Sequence, residues 1–154
     1  MYLEKLTLTN FKNYENAEVS FNPKVNCILG LNGAGKTNLL DAIYYLTFTK
    51  SALNSIDSQN IRHSEKMAVV QGKFRGDEEV LVTCGLKVRQ KKVFKVNKVE
   101  LDKMSDHIGS MPLVLISPDD TSIIKEGSES RRKFVDSTIS QVNRNYLRNL
   151  IQYN

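Results

Sequence analysis

The fold is decided by one stretch of sequence, Gly30-Leu31-Asn32-Gly33-Ala34-Gly35-Lys36-Thr37, which is a complete GxxxxGK[ST] motif. An apolar segment, residues 25–29, precedes it, and a helical pattern over residues 38–46 follows it. This order of predicted strand, glycine-rich loop and helix is the context in which the motif binds phosphate. The glycines let backbone N–H groups approach phosphate oxygens, with the positive end of the helix behind them. The stretch therefore predicts a nucleotide-binding site.

Individual residues of the motif have separate tasks in binding a nucleotide. Lys36 is expected to reach the β- and γ-phosphates, and the Thr37 hydroxyl is expected to hold Mg²⁺. The residues predicted to bind the nucleotide here are Gly30, Leu31, Asn32, Gly33, Ala34, Gly35, Lys36, Thr37 and Asn38.

A working nucleoside triphosphatase also needs a carboxylate that holds magnesium or orients water, usually at the end of an apolar strand. The candidates are Asp119 and Asp120, which follow the apolar residues 113–116 but lie beyond the pair Ser117-Pro118. Serine as N-cap, proline at the first helical position and acids in the first turn indicate a helix start. We expect helix-capping acids here, with a magnesium-binding carboxylate as the alternative, and hence no convincing hydrolytic partner for the loop.

The composition is that of a globular domain. The chain has 154 residues, 25% of them charged and 40% hydrophobic, and no apolar run approaches the ~20 residues of a membrane helix. The N-terminus lacks the pattern of a secretory signal. Cys27 and Cys84 lie in apolar contexts and are expected to be buried thiols in a reducing compartment. His63 and His107 are expected to be exposed. These features favour a cytoplasmic protein.

The net charge of +5 is concentrated in residues 87–98, which carry six basic side chains and no acid. Period-two spacing predicts one basic face of a strand or hairpin, opposite Val88, Phe94 and Val96. Such a face suits a phosphate backbone. The alternative is a solvated hairpin whose lysines protect a sheet edge from aggregation. The candidate DNA-binding residues are Lys87, Arg89, Lys91 and Lys95.

The rest of the chain predicts further strands and one long final helix. Two or three short strands precede the phosphate loop, and residues 67–74 and 80–86 begin an antiparallel meander appended to the nucleotide-binding sheet. Residues 111–116 are expected to form one more buried strand. A helix is predicted from residue 128, with Val135, Ile139, Val142, Tyr146 and Leu150 at helical spacing, and it reaches residue 153 without a stop signal. We expect the chain to be part of a longer protein.

Taken together, these residues resemble the N-terminal part of the RecF family, DNA-repair ATPases related to SMC-type heads. Residues 6–14, LTLTNFKNY, resemble the family's opening LxLxNFRNY, and residues 26–44 are close to its phosphate loop and helix. The region most typical of the family is SPDD at 117–120, followed by Glu126-Gly127 and RRKFVD at 131–136. The helix containing Tyr146, Leu150 and Tyr153 suits the start of the family's helical lobe.

The resemblance implies an ABC-type ATPase that binds ATP and Mg²⁺, dimerises head to head around ATP, and binds DNA at single-strand gaps. Such proteins act in DNA replication, repair and the SOS response, where they help load recombinase together with recombination mediator proteins. The family's signature motif and Walker B acid lie in a C-terminal half, so this chain alone is expected to bind ATP without appreciable hydrolysis and to associate through an unpaired apolar edge.

The resemblance also indicates residues outside the loop. Lys12 and Asn13 correspond to positions that approach the nucleotide in related heads. Many family members carry an arginine after the first helix, where this chain reads KSALN at 50–54, so Arg62 or a lysine would have to replace it.

The expected architecture is an α/β P-loop ABC-type head: residues 1–50 as the P-loop subdomain, 67–100 as an antiparallel β lobe, and 111–154 as the last strand and the start of the helical lobe. Other functions stay open. A different SMC-like or overcoming-lysogenisation-type ATPase would carry a coiled coil or nuclease domain downstream. A self-contained P-loop phosphotransferase would turn over steadily, and a non-catalytic DNA-binding module would depend on the basic residues alone.

Overall fold

A single antiparallel sheet with one helix packed on it forms the centre of the computed structural model, which describes residues 1–121 and 127–153. The strand order is β2-β1-β3-β4-β5-β6. The strands are β1 (Tyr2–Phe11), β2 (Tyr14–Ser20), β3 (Met67–Arg75), β4 (Glu79–Lys87), β5 (Val93–Val96) and β6 (Val99–Glu100). The α-helices are α1 (Lys36–Phe48), α2 (Ser128–Val142) and α3 (Arg144–Tyr153), and short 3₁₀ helices span Asp57–Asn60, Met104–Asp106 and Pro118–Thr121.

Alternating side chains give the sheet one buried face. On β1, Leu6 and Leu8 are 0% and 1% exposed, and on β3 Val70 is 0% exposed. Val70 opposes both Leu8 and Cys84 in the strand register, so their side chains form one apolar row across the sheet. Helix α1 covers this row with its own buried side chains, Leu39, Ala42, Tyr45 and Leu46. The core that supports the phosphate loop therefore lies between α1 and the sheet.

The antiparallel meander expected over residues 67–100 continues the sheet that β1 and β2 begin. Strand β1 lies between β2 and β3, so the strands before and after the phosphate loop share one sheet. Thr9 opposes Asn16 on one side and Val69 on the other, because hydrophobic alternation on β1 matches that on both neighbours.

Two predicted strands are wrong as elements of this structure. Residues 25–29, before the phosphate loop, have no strand partner among the described residues, and Val25 and Leu29 are 83% and 84% exposed. Residues 111–116 are likewise outside any strand, with Val114 and Ile116 77% and 81% exposed. Apolar content predicted strands at both places, but a strand forms only where another segment lies alongside to accept its backbone hydrogen bonds.

The long final helix is also interrupted. Helix α2 ends at Val142 and α3 begins at Arg144, because Asn143 adopts extended φ and ψ angles and its Oδ1 accepts a hydrogen bond from the Tyr146 N–H at 3.0 Å. This is the capping that favours asparagine at a helix start. Val142 is consequently 80% exposed, instead of lying on the apolar face expected for one continuous helix. Glu126 and the side chain of Asp119 lie outside what the structure describes.

Two single-residue expectations are corrected. His107 is 3% exposed, with Nε2 2.7 Å from the Leu46 carbonyl oxygen and its ring 4.8 Å from that of Phe94. Cys27 is exposed, whereas Cys84 is buried as expected. His63 is exposed.

Within residues 1–121 and 127–153, none of the helices combines the length and apolar character needed to cross a lipid bilayer.

Candidate nucleotide-binding site

The phosphate loop ends in two glycines whose backbone most other residues would adopt only with strain. Gly33 has φ +82° and Gly35 has φ +103°, both in the left-handed region. Helix α1 starts immediately afterwards at Lys36, and the Leu39 N–H donates to the Gly35 carbonyl at 2.9 Å. The unpaired N–H groups at the start of α1 therefore lie at the loop, where the helix dipole favours an anion.

The side chain of Lys36 folds back over the phosphate loop and contacts its first residues. Its Nζ donates to the carbonyl oxygens of Gly30 and Leu31 at 2.8 and 2.9 Å. These contacts keep the ammonium group next to the loop amides, so that both can act on one phosphate. Thr37 is exposed in the first turn of α1. A cavity of about 340 Å³ opens here, lined by Asn32, Gly33, Gly35, Lys36, Thr37 and Asn38.

The predicted loop residues are thus brought together, and their chemistry fits a magnesium–triphosphate group. An ammonium group and backbone amides suit phosphate oxygens, and a threonine hydroxyl at the same cavity suits Mg²⁺, a cation that prefers oxygen ligands. Among the residues that the structure describes, no cluster of three or more His, Cys, Asp or Glu side chains offers a separate metal site.

The turn between β1 and β2 contacts the loop from outside. Asn13 donates through Nδ2 to the Ala34 carbonyl at 3.3 Å and accepts from Asn38 Nδ2 at 2.8 Å. Tyr14 donates its hydroxyl hydrogen to the Gly35 carbonyl at 3.1 Å, and partial burial raises the pKa of this phenol, so it stays protonated. Sequence reasoning named Asn13 but missed Tyr14, although both belong to the NFKNY stretch.

Lys12 does not contact the loop in this structure. Its Nζ lies 2.6 Å from Asp41 Oδ2, and the two side chains are 7% and 1% exposed. The resemblance had suggested that Lys12 approaches the nucleotide, and that role stays untested. Asp41 was not singled out from the sequence because it looks like an ordinary polar position of α1.

A second, open cleft of about 590 Å³ is lined in part by Asn13. Arg62 borders it and pairs with Glu15 at 3.4 Å, while Glu65 accepts from Asn10 at 3.3 Å. The cleft thus carries positively and negatively charged side chains, and it adjoins Asn13, which contacts the phosphate loop. Arg62, suggested as a replacement for the family arginine, is half-buried at this border.

The basic face predicted for a strand or hairpin is formed in part: Lys87 ends β4 and Lys95 lies on β5 of one hairpin, whereas Arg89 and Lys91 lie in the connection between the two strands. Residues 88–92 make the connection between β4 and β5, with Arg89 at φ +60°. Lys87, Arg89 and Lys91 are exposed, whereas Lys95 is half-buried on β5 opposite Thr83. Lys92 serves the fold, since its Nζ donates to the Thr49 carbonyl at 2.6 Å and pairs with Asp57 at 3.1 Å.

The region suggested as a hydrolytic site has a capping contact. Asp120 Oδ2 accepts a hydrogen bond from the Ser117 N–H at 2.6 Å, at the start of a 3₁₀ helix that spans Pro118–Thr121. This matches the expected use of Asp120 as a capping acid. Asp120 is therefore engaged with the backbone of its own turn.

The chain matches a family described as an AAA domain over residues 5–154. It is 55% identical over 156 residues to the DNA replication and repair protein RecF of Phocaeicola vulgatus, with all of this chain and 42% of that protein covered. The RecF protein of Flavobacterium johnsoniae is 51% identical over 154 residues, covering 99% of this chain and 43% of the relative. The chain thus spans less than half the length of these relatives.

Solved structures agree with the sequence comparison. The recombination mediator protein RecF with ATP, from the RecFOR pathway, has a TM-score of 0.94 and 39% identity, covering 99% of this chain and 42% of that one. A structure from a study of ATP-driven dimerisation and DNA-stimulated activation of SMC ATPases has a TM-score of 0.71 and 25% identity, covering 89% of this chain and 99% of its own.

These neighbours confirm the expected fold class, an α/β P-loop ATPase head of the RecF and SMC type with an antiparallel sheet. With a phosphate loop at the start of α1, and with matches that run along the whole chain, the chain belongs to the AAA domain family and matches the N-terminal part of the RecF family.

Proposed function

We propose that this chain is the ATP-binding part of a recombinational DNA-repair ATPase. The observation that carries the proposal is the Lys36 ammonium group held at the phosphate loop, next to the free amides of α1. The similarity to a RecF structure with ATP supports the choice of nucleotide.

In the proposed complex, the β- and γ-phosphates lie in the cavity at the start of α1. Lys36 and the loop amides contact the phosphate oxygens, and Thr37 holds Mg²⁺ through its hydroxyl. The nucleoside extends past Asn13 into the open cleft bordered by Arg62 and Glu65. This placement is supported by Asn13, which lines the open cleft and accepts a hydrogen bond from Asn38, a residue that lines the cavity at the loop.

Hydrolysis is expected to need more than the described residues provide. Asp120 is engaged in capping, so it is a poor candidate for orienting water. We infer that catalysis occurs in a head-to-head dimer formed around ATP, with catalytic groups from the part of the family's chain outside the match. The ATP-driven dimerisation named for the SMC neighbour supports this arrangement.

We further propose that the complete protein binds DNA at single-strand gaps and works with recombination mediator proteins. The RecFOR pathway named for the RecF neighbour supports the partner class. Within this chain, the exposed Lys87, Arg89 and Lys91 are the candidate DNA contacts, with Lys95 beside them on the open sheet face. Lys92 is excluded from that set because Asp57 already pairs with it.

The first experiment measures binding of Mg²⁺–ATP and its turnover by the chain, beside Lys36→Ala. Lys24→Ala is the matched control, because Lys24 is an exposed lysine outside the loop. We expect ATP binding that is lost in Lys36→Ala, kept in Lys24→Ala, and accompanied by negligible turnover. Binding without dependence on Lys36 would refute the proposed site. Robust turnover that needs Lys36 would instead favour a self-contained phosphotransferase.

The DNA proposal has its own test. Reversing the charge of Lys87, Arg89 and Lys91 in the complete protein should weaken DNA binding and lower the slope of log affinity against log salt by about 0.7–0.9 per lost phosphate contact. Reversal of Lys24, Lys103 and Arg148, which are exposed elsewhere on the chain, serves as the charge-matched control. An unchanged affinity and salt slope would exclude the loop as a DNA contact.

A further inference from the structure

Lys12 has an unfavourable backbone conformation and a buried ammonium group, and hydrogen-bonding and charged partners hold both in place. Its φ angle is +52°, in the left-handed region that is unfavourable for a residue with a side chain. Its N–H donates to the Asn60 carbonyl at 2.9 Å, and its ammonium group is buried 5.7 Å from the centre of the Phe11 ring. A buried ammonium group needs a charged partner to be stable. The group that pairs with Lys12 therefore helps to fix the position of the β1–β2 turn.

Asp41 of α1 is that partner, and it connects three segments. Its Oδ2 lies 2.6 Å from Lys12 Nζ and accepts from the Ser51 hydroxyl at 2.6 Å. Its Oδ1 accepts from the Ala52 N–H at 2.7 Å. One carboxylate thus fixes the β1–β2 turn, the helix that follows the phosphate loop, and the residues after that helix.

The turn fixed by Asp41 carries the two side chains that contact the loop. Asn13 follows Lys12 directly and donates to the Ala34 carbonyl, and Tyr14 donates to the Gly35 carbonyl. A shift of the turn would remove both contacts. Since the loop amides must converge on the phosphates, a small displacement of the loop weakens several hydrogen bonds at once.

Resting on the proposed nucleotide-binding function, we propose that Asp41 is a positioning residue of the phosphate loop, and that Lys12 acts through Asp41 and not as a nucleotide ligand. To reach a phosphate, the Lys12 ammonium group would have to leave a pair at 2.6 Å. Asp41 would then keep a buried charge with only neutral donors, an arrangement that is strongly unfavourable.

The test is a double-mutant cycle on ATP and ADP affinity, using Lys12→Met, Asp41→Asn and the two together. Asparagine removes the charge of Asp41 but keeps an oxygen that can accept from the Ala52 N–H. Each single variant leaves one buried charge unpaired, so we expect about tenfold weaker binding of both nucleotides, by the same factor. The double variant removes both charges and should return to within about threefold of the unchanged chain. If Lys12 contacted a phosphate directly, the double variant would stay as weak as Lys12→Met, and ATP and ADP affinities would change by different factors. Either result overturns the proposal.

A second variant guards against loss of folding. Tyr14→Phe removes only the hydroxyl that donates to Gly35. It should weaken ATP and ADP binding equally, and it should add little when combined with Lys12→Met, since both changes release the same contact. The matched control is Tyr45→Phe, which removes a hydroxyl on the buried face of α1 that donates a hydrogen bond to Asp57. It should lower stability but leave the nucleotide affinity of the folded chain unchanged.

The outcomes also separate this proposal from the one on which it rests. If the unchanged chain does not bind ATP, or binds it without Lys36, both proposals fail. If binding requires Lys36 but Tyr14→Phe binds normally, or the Lys12/Asp41 double variant is not rescued, the positioning role alone is refuted.

Discussion

Replacing Gly35 by alanine should destabilise the chain more than any other single alanine substitution in the phosphate loop. Gly35 has φ +103°, and a left-handed conformation costs a residue with a side chain about 1–2 kcal/mol. A Cβ atom there would also lie 2.5 Å from Asn13 Nδ2 and 3.0 Å from the Tyr14 hydroxyl. Moving these side chains away forfeits their hydrogen bonds to the loop, at about 0.5–1.5 kcal/mol each. The expected loss of unfolding free energy is about 2–5 kcal/mol, the sum of these two contributions.

Gly33 provides the matched control for this prediction. Its φ is +82°, but a Cβ atom at Gly33 would meet nothing within 4 Å. Gly33→Ala should therefore cost only the backbone strain, about 1–2 kcal/mol. The assay is urea unfolding of both variants without nucleotide, so that phosphate contacts do not contribute. Equal losses in the two variants would refute the reasoning, because they would mean that Asn13 and Tyr14 do not brace Gly35.

Three further predictions concern other parts of the fold. Burial lowers the pKa of His107, opposed by the hydrogen bond to the Leu46 carbonyl, so the unfolded chain binds more protons. The contribution of His107 to the free energy of unfolding should be fully present above about pH 6.5 and fall as the pH drops below that value. In urea unfolding, His107→Gln should lack this dependence on pH. Cys27 is exposed, whereas burial raises the pKa of Cys84 to about 12. Maleimide should therefore label Cys27 in the folded chain and Cys84 only after unfolding, and equal labelling would contradict the fold. Gly109→Ala should lower the thermal midpoint, because its Cβ would lie 2.2 Å from a main-chain oxygen of α2 and its φ is +84°.

The sequence predicted the parts of the fold that local pattern controls. The helix after the loop, strands β3 and β4, and the turn at Asn97-Lys98 are confirmed, because apolar alternation and turn chemistry determine them locally. Residues 25–29 and 111–116 were predicted as strands on apolar content alone. Strand formation is a property of a pair of segments, and among the described residues no strand pairs with either stretch.

The candidate site was predicted in part for the same reason. The motif places Gly33, Gly35 and Lys36 within one short loop, so their proximity follows from sequence order. Tyr14 and Asp41 join the site only through tertiary contacts over 21 residues or more along the chain, which no local pattern reports. The same holds for His107, whose polar sequence neighbours suggested exposure although the ring lies against Phe94.

The loop is supported unequally on its two sides, and this bears on how tightly the chain binds nucleotide. On one side, α1 and the β1–β2 turn fix Gly35 through buried and half-buried contacts. On the other side, Val25, Leu29 and Leu31 are 83–85% exposed. Burying each such side chain contributes about 1.5–3 kcal/mol, so strands that cover this segment would both stabilise the fold and order the approach to the loop. Because a site that is held in place before binding spends less free energy on being restrained, ATP should bind this chain more weakly than a protein in which residues 25–31 are covered.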